Sequence, residues 1–367
     1  MNIDRLRKVD RLLGIPWVHL LSSFRGAGSP STLRRALVVK LFGLGNLIML
    51  TPALRALRGA FPGLEIDLLT FAQNEGAARM YPQLLARAHL VPYSVLPLAV
   101  GLSRIIARER GRYDLIVDAE QFIRYTSMVS LLLAPRMLAG LPTPGSRKSR
   151  AYHVWIPYRE DRPLAREYLD LAVEIARRFG KKAEEPDRLV APSIDPSSAA
   201  KVSALVPQPS IGVCVGGRSD AMEKRYPHWE PLLRRLRTLG LPFVFTGTSE
   251  EAPAIRPLHA AVGGVDLAGK LTQLELVEVL RRTSIFLSND TGPLHLAAAT
   301  GAFTVGFFGP TDPRVYRPYT PRHLVLWDPR NVPSITNRDE KRRPTGQVFW
   351  VPPEEAFERI RSAYDRS

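Results

Sequence analysis

Two series of short apolar runs, each alternating with amphipathic segments, constrain the fold of this chain more than any other feature. The runs are rich in β-branched and aromatic residues and about four to seven residues long, which predicts buried strands. Strands are predicted at 36–42, 64–70, 89–93 and 113–119, then at 210–215, 242–246, 265–268, 284–288 and 303–308. Helices are predicted at 51–60, 74–86, 98–109, 122–133, 163–179 and 352–364. This alternation favours an α/β fold with one doubly wound parallel sheet in each half, joined through the Pro, Ser and Ala-rich residues 181–209.

An acidic turn lies between two predicted strands of the second series. Residues 289–292, Asn-Asp-Thr-Gly, form this turn, and a helix follows with Pro293 near its first position. A helix N-terminus carries a partial charge of about +0.5 and attracts phosphate, which Asp290 and His295 would flank. The alternative is an ordinary capped turn, since Asp and Thr are common capping residues.

The charge of the chain indicates an anionic partner. Fifty-one Lys and Arg against 35 Asp and Glu give a net charge of +16, which suits nucleic acid, a membrane surface or a phosphorylated substrate. Nucleic acid is disfavoured because no zinc-finger, RRM-like or leucine-zipper pattern is present and the basic residues are spread along the chain. Cys214 is the single cysteine, which excludes an intramolecular disulfide and favours a reducing compartment.

The first 33 residues have a different character, a basic helix followed by a linker rich in Gly, Ser and Pro. Apolar residues recur at helical spacing at Ile3, Leu6, Val9, Leu12 and Leu13, with Arg5, Arg7, Lys8 and Arg11 between them. The apolar run is far short of the roughly 20 residues that span a bilayer. At about 1 kcal/mol per basic residue, residues 3–24 are predicted to bind an anionic inner-membrane surface reversibly. The alternative is a helix packed on the protein's own surface.

Three motifs occur in order along the chain. They are ALVVKLFGLGNLIMLTPALRAL at 36–57, KRYPHW at 224–229, and NDTGPLHLAAA at 289–299 with GPTDP at 309–313. Together they resemble glycosyltransferase family 9, the ADP-heptose:lipopolysaccharide heptosyltransferases, with Tyr226 in place of the family's usual tryptophan. The resemblance covers roughly residues 36 to 327, and three ordered motifs are far more specific than one.

The resemblance implies the GT-B architecture, two Rossmann-like doubly wound domains with an interdomain cleft. We expect a basic N-terminal segment and linker at 1–33, an acceptor-binding domain at 34–185 and a nucleotide-sugar-binding domain at 186–345. A C-terminal helix at 346–367 can cross back to the first domain.

The resemblance also implies a donor site. Its expected residues are Lys224, Glu275, Asp290, Thr291, Gly292, Pro293 and His295. A lysine at 224 would neutralise the departing diphosphate, and Glu275 would accept hydrogen bonds from the ribose hydroxyls; a solvated loop lysine and an exposed helix-start glutamate are the alternatives. Gly217 and Ser219, in a Gly-Gly turn after a strand, can offer further N–H groups to phosphate, although such dipeptides are common in plain turns.

The acceptor side is expected at the turn of Gly43, Gly45 and Asn46 and at Arg124. The family carries an aspartate after this turn as general base, and Asn46 cannot take up a proton, which removes about 10²- to 10⁴-fold in rate. Glu120 is the first candidate replacement and Asp118 the second, because both follow a strand at the edge where open α/β sheets bind ligands. Both can instead be structural, with Asp118 capping the next helix. Their Asp-x-Glu spacing is similar to a metal-binding Asp-x-Asp, but GT-B enzymes generally need no divalent ion, so no metal or cofactor is expected.

These features predict an inverting, metal-independent glycosyltransferase, cytoplasmic and peripheral on the cytoplasmic face of the membrane. Its donor would be a nucleotide sugar, ADP-linked heptose by family precedent, and its acceptor an anionic glycolipid or lipopolysaccharide core. Asn46 leaves open a catalytically degenerate protein that binds nucleotide sugar or glycan as a scaffold. A nucleotide-sugar epimerase, which would interconvert the free donor without an acceptor, is a third alternative.

Overall fold

A computed structural model describes residues 3–23, 26, 28, 30–217, 222–332 and 347–366, with the backbone alone at 3–9, 11–13 and 222. The chain divides into two compact units, Met1–Pro186 and Asp187–Ser367. Each unit is built around one parallel six-stranded sheet. This arrangement confirms the predicted fold class of two doubly wound α/β units.

The first unit contains a sheet with the strand order β3-β2-β1-β4-β5-β6. Its strands are β1 (Arg35–Val39), β2 (Glu65–Phe71), β3 (Arg87–Val91), β4 (Leu115–Asp118), β5 (Met137–Gly140) and β6 (Val154–Trp155). Its helices are α1 (Ile3–Ser22), α2 (Leu44–Met49), α3 (Thr51–Ala60), α4 (Glu75–Arg79), α5 (Val95–Glu109), α6 (Arg124–Leu132) and α7 (Leu164–Arg178). The strand order reverses between β1 and β4, and the crevice at such a switch point is where open α/β sheets bind ligands.

The first helix is part of this unit. α1 packs against α6, and Val18 is buried in the same core as Leu37 and Ile116. The described part of α1 therefore packs on the protein's own surface, and the predicted membrane binding of this segment stays a prediction. The side chains of the basic residues 5, 7, 8 and 11 lie outside the described part of the chain.

The second unit has the sheet order β12-β11-β10-β7-β8-β9, with its switch point between β7 and β10. Its strands are β7 (Ile211–Cys214), β8 (Phe243–Phe245), β9 (Val265–Asp266), β10 (Ile285–Asn289), β11 (Phe303–Phe308) and β12 (His323–Trp327). Its helices are α8 (Pro196–Ser203), α9 (Trp229–Leu236), α10 (Ala252–Val262), α11 (Gln273–Arg282), α12 (Gly292–Thr300), α13 (Pro313–Tyr316) and α14 (Pro353–Tyr364).

The last helix packs on the core of the second unit, and its crossing back to the first domain stays a prediction. Ala356 and Ile360 are fully buried in the core that contains β7, β10 and β11. Arg235 of α9 also pairs with Glu354. The apolar face of α14 is therefore used within the unit that precedes it in the chain.

The predicted elements differ from the structure mainly at their ends. β1 stops at Val39 rather than at residue 42, because the next residues leave the sheet to bind a side chain described below. α4 ends at Arg79 rather than at residue 86, and Pro82 follows, which disfavours helical backbone at the residue before it. The short strands β5, β6 and β12 were not predicted.

Candidate functional site

Three predicted donor residues meet at the carboxyl end of β10. The turn after this strand carries Asp290, and α12 begins directly after the turn at Gly292. Lys224 Nζ lies 3.0 Å from Asp290 Oδ2, and His295 Nε2 lies 4.0 Å from Asp290 Oδ1. One carboxylate therefore pairs with a lysine and lies close to a histidine, and these two residues come from different elements.

The residue before α12 does not cap the helix. Thr291 makes no side-chain capping hydrogen bond. Its hydroxyl instead donates to the Asn289 carbonyl at 3.3 Å and lies 3.1 Å from the Ser288 hydroxyl. Pro293 lies in the first turn of the helix, as predicted. The capped-turn alternative therefore does not describe this turn, since the Thr291 side chain caps no first-turn N–H group. Pro293 has no N–H, and the Leu294 N–H donates to the Thr291 carbonyl at 3.1 Å.

Burial keeps the imidazole of His295 neutral at neutral pH. Burial lowers the pKa of its imidazole, the Asp290 carboxylate opposes this effect, and the Lys224 ammonium adds to it. Nδ1 of the ring is buried and has no hydrogen-bond partner among the described residues. The ring thus retains hydrogen-bonding capacity inside the cluster.

Asn289 organises this edge of the sheet and was not among the predicted site residues. Its side-chain oxygen accepts a hydrogen bond from Tyr226 N at 2.9 Å. Its amide nitrogen donates to the carbonyls of Val215 and Gly216, at 2.9 and 3.0 Å. These bonds join the end of β10 to the residues after β7 and to the segment that carries Lys224. The sequence feature that could have identified Asn289 is a polar residue at the end of a predicted buried strand.

The Gly-Gly turn is attached to the same segment. The Gly217 carbonyl accepts a hydrogen bond from Arg225 Nη2 at 2.8 Å. Arg225 Nε is buried with no hydrogen-bond partner in the described part of the chain. Ser219, the other predicted residue of this turn, lies outside the described residues.

Glu275 lies in the first turn of α11, at the same edge of the sheet because α11 follows β9. Its Oε2 accepts from Thr272 N at 2.7 Å, and its Oε1 lies 2.6 Å from Lys201 Nζ. Lys201 first, and then the Thr272 N–H, lower the pKa of this carboxyl. Glu275 is buried rather than exposed, and among the described residues it shares no hydrogen bond or ion pair with Asp290 or Lys224. Its predicted contact with a ribose stays a prediction.

The GPT motif follows β11 and packs against the chain's final segment. A Cβ at Gly309 would lie 2.6 Å from the Trp350 ring, so any residue larger than glycine would require the Trp350 side chain to move. Trp327 Nε1 donates to the Gly309 carbonyl at 3.3 Å. Thr311 is buried, and its hydroxyl has no hydrogen-bond partner within the described residues.

In the first unit, the predicted acceptor turn follows β1. Gly43 has a φ of 86°, in the left-handed region that favours glycine, and immediately precedes α2. Gly45 and Asn46 lie in the first turn of that helix. Asn46 Nδ2 donates to the Phe42 carbonyl at 3.3 Å, so the amide closes its own turn.

Glu120 lies directly beneath this turn. Its Oε2 is 2.9 Å from Lys40 Nζ, and its Oε1 accepts from the backbone N–H groups of Leu41 and Phe42 at 2.8 and 3.1 Å. Lys40 is 1% exposed and Glu120 is 4% exposed. Burial lowers the pKa of Lys40, but Glu120 and then Tyr168 outweigh it and leave that pKa raised, so the lysine is charged.

Asp118, the second base candidate, is fully buried. Its Oδ2 accepts from Ser127 Oγ at 2.7 Å and Tyr152 Oη at 2.8 Å, and Lys148 Nζ lies 3.2 Å away. Its Oδ1 accepts from Glu120 N at 3.2 Å. The predicted cap is wrong in detail, because these donors do not include a first-turn N–H of α6. The structural alternative describes Asp118 better than a base does.

Arg124 begins α6 and holds α1 in place. Its backbone N–H donates to Asp10 Oδ2 at 3.2 Å, and the Tyr125 N–H donates to Asp10 Oδ1 at 2.7 Å. Its guanidinium Nε donates to the Ser146 carbonyl at 3.0 Å. α6 is thus capped by a carboxylate from α1, and Arg124 belongs to that junction; its expected contact with an acceptor stays a prediction.

These features can be compared with known proteins. Residues 105–344 match the model for glycosyltransferase family 9 (heptosyltransferase). The chain is 26% identical over 298 residues to lipopolysaccharide heptosyltransferase 1 of Pseudomonas aeruginosa, a match that covers 76% of this chain and 79% of that protein.

Solved structures show the same fold. A family 9 glycosyltransferase from Veillonella parvula superposes with a TM-score of 0.73 at 18% identity, covering 93% of this chain and 99% of that one. The Escherichia coli ADP-heptose lps heptosyltransferase II superposes with a TM-score of 0.66 at 18% identity, covering 90% and 99%. The resemblance carried by the three sequence motifs is therefore confirmed: the chain belongs to glycosyltransferase family 9, and it is a glycosyltransferase with the GT-B fold.

Proposed function

We propose that this glycosyltransferase moves a heptose from ADP-heptose to a lipopolysaccharide-core or related anionic glycolipid acceptor, with inversion and without a metal ion. The meeting of Lys224, Asp290 and His295 at the start of α12 is the observation that carries the proposal. A helix start beside a lysine suits a diphosphate. The donor and the acceptor class are those for which the Pseudomonas and Escherichia relatives are named.

The proposed reaction is a single displacement. An acceptor hydroxyl oxygen forms a bond to the anomeric carbon while the bond from that carbon to the diphosphate oxygen breaks, and the electron pair leaves with ADP. The hydroxyl proton goes to a base or to water. Lys224 and the positive end of the α12 dipole stabilise the charge that develops on the departing diphosphate, where fixed charges and dipoles act most strongly.

Asp290 has a clear role in this scheme. Its carboxylate, 3.0 Å from Lys224 Nζ, holds the ammonium at the helix start before the donor binds. The neutral His295 ring adds no cation that would compete for the carboxylate. The three side chains thus position one mobile positive charge for the leaving group.

Lys224→Ala tests this assignment. Losing one preorganised donor to a developing charge costs about 10²- to 10³-fold in kcat, so transfer from ADP-heptose should fall by that factor while the circular dichroism spectrum is unchanged. Lys182→Ala, which removes an exposed lysine of the first unit, is the matched control and should keep full activity. Undiminished transfer by Lys224→Ala would contradict the role of the cluster.

The donor is tested by a thermal-shift series with ADP-, UDP-, GDP- and dTDP-linked sugars. A ligand that binds only the native state raises the melting temperature according to its affinity. ADP-heptose should give the largest shift, and the shift should shrink in Lys224→Ala. A larger shift from a UDP-linked sugar would reassign the donor.

Asn46 favours a second candidate, a family member that binds nucleotide sugar or glycan without turning it over. The discriminating experiment is Asn46→Asp. If the wild-type chain has no base, a carboxylate at this position should raise transfer by about 10²- to 10⁴-fold from a very low level. If the chain is a competent enzyme by another route, wild-type transfer is already substantial and the gain is small.

We further propose that α1 brings the enzyme to an anionic membrane surface on the cytoplasmic side. No helix in the described ranges has the length and apolar character to cross a bilayer. Trp17 and Leu20 are exposed on α1 although Val18 is buried, and an exposed tryptophan suits the membrane interface. Trp17→Ser with Leu20→Ser should reduce binding to anionic liposomes while the core contact of Val18 is kept; unchanged binding would refute this proposal.

A further inference from the structure

The turn that carries Gly43 and Asn46 is supported from beneath by the carboxylate of Glu120, while Asn74 Nδ2 donates to the Leu41 carbonyl at 2.8 Å. Glu120 is the shared acceptor for the Leu41 N–H, the Phe42 N–H and the Lys40 ammonium, at 2.8, 3.1 and 2.9 Å. These donors come from the three consecutive residues after β1, where the chain leaves the sheet. Without this acceptor, one buried and one half-buried backbone N–H group and a buried ammonium would each lose a hydrogen-bond partner.

Glu120 is itself fixed from the other side. Its backbone N–H donates to Asp118 Oδ1 at 3.2 Å, and its carbonyl accepts from Lys148 Nζ. The same ammonium donates to the Ile123 carbonyl at 2.8 Å. Main chain and side chain of Glu120 are thus both anchored, so its carboxylate cannot swing towards a substrate without breaking this network.

A general base, unlike this anchored carboxylate, must be able to contact the substrate. It must reach the acceptor hydroxyl at hydrogen-bonding distance and gain a proton during the reaction. Both oxygens of Glu120 already accept hydrogen bonds, one of them from a charged lysine, and the residue is 4% exposed. Protonation would break the pair with Lys40 and leave that charge alone in the interior.

We propose that Glu120 is a positioning residue and not the general base: paired with Lys40, it sets the conformation of the turn that places Gly43 and Asn46 at the acceptor side. This inference rests on the proposed function only for the statement that the turn borders the acceptor. In this role the charge of Glu120 is needed because Lys40 is charged, and the two N–H groups need only an oxygen.

The two roles predict different behaviour when both charges are removed together. Glu120→Gln retains an oxygen for Leu41 and Phe42 but turns its NH2 group towards the Lys40 ammonium, which sets donor against donor. In Lys40→Met with Glu120→Gln this conflict is gone, because no ammonium faces the amide. The double variant therefore keeps the turn but contains no carboxylate at position 120.

The test measures kcat/KM for ADP-heptose and acceptor over a pH series in wild type, both single variants and the double variant. A misplaced turn costs about 10²-fold, so each single variant should lose about that factor. The double variant should recover to within about tenfold of wild type, and its pH profile should keep the wild-type acidic limb. Glu75→Gln, which alters an exposed glutamate on the same unit, is the control and should match wild type.

Two results would overturn the inference. One is a folded double variant that remains as inactive as Glu120→Gln; the other is an acidic limb that disappears with the carboxylate, as removal of a base requires. Thermal melting of the four proteins separates this outcome from failure of the proposed function. If wild type transfers no sugar, the proposed function fails, and recovery of the melting temperature in the double variant still decides whether the Lys40 and Glu120 pair holds this turn.

Discussion

The buried pair of Asp118 and Lys148 gives the sharpest test of how the first unit is held together. Both side chains are fully buried, with Nζ 3.2 Å from Oδ2. Asp118→Ala leaves the ammonium with carbonyl acceptors only, and breaking a buried pair costs about 3–5 kcal/mol. Ser127 and Tyr152 also lose their acceptor, but they lie 3.1 Å apart and can bond each other. The buried Glu120 N–H loses its acceptor as well, so about 1 kcal/mol more is lost.

The expected total is therefore about 4–6 kcal/mol, against about 5–15 kcal/mol for a whole domain. Native-state hydrogen exchange on peptides of β1 and β4 measures this loss locally, as an increase in the opening ratio of about 10³- to 10⁴-fold. Peptides of β10 and β11 in the second unit should be unaffected and give an internal reference. Asp161→Ala, which removes an exposed ion pair with Arg159, should leave exchange unchanged.

Lys148 adds a pH signature to the same variant. Burial lowers the pKa of its ammonium, and Asp118 opposes this. Without Asp118 the folded-state pKa falls further below the unfolded value, so the unfolded chain binds more protons and stability rises with pH. The difference between wild type and Asp118→Ala should therefore narrow as the pH is raised. A loss below about 1 kcal/mol, or a difference that does not depend on pH, would refute this account of the pair.

Three further predictions concern other residues. Burial lowers the pKa of His295 below its ordinary value of 6.5, so the unfolded chain binds more protons and the free energy of unfolding should fall as the pH drops through about 6.5. The difference between the urea midpoints at pH 8 and pH 5.5 should therefore be smaller in His295→Gln than in wild type. The control His228→Gln should show the wild-type difference. Burial raises the pKa of Cys214 to about 12, so a thiol reagent should modify the native protein slowly and the urea-unfolded protein quickly. Equal rates of modification would show that the Cys214 thiol is not buried. Asp10→Ala removes the cap that α1 supplies to α6, which costs about 0.5–2 kcal/mol of stability. Limited proteolysis within α1 should therefore be faster in this variant. An unchanged rate would show that Asp10 does not hold α1 on α6.

Much of the fold was predictable because its signals are local. Buried parallel strands have no solvated face, so they appear as continuous apolar runs whatever their neighbours are. The strands missed were short: β6 has two residues, and β5 and β12 have four and five. The end of β1 was also misplaced, because Leu41 and Phe42 bond to Glu120, which is far along the chain.

The donor cluster was predictable for a different reason. Asp290 and His295 are five positions apart in the sequence, and Lys224 lies in a motif of its own, so both pieces can be recognised without coordinates. The partners of the base candidates were not readable. Lys40 and Lys148 look like ordinary lysines in the sequence, yet each is buried against a carboxylate on the β4 side of the sheet.

By itself, the sequence determined two doubly wound units, the family to which the chain belongs, and the turn at Asp290 with its lysine and histidine. These follow from hydrophobic periodicity and from residues close together in the chain. Only the tertiary structure decided that Asn289 joins two strand ends, that α1 caps α6 and that Glu120 supports the turn before Asn46. The reason is that a hydrogen bond or buried ion pair depends on which groups meet in space, and in a parallel sheet the neighbours at one edge come from distant parts of the chain.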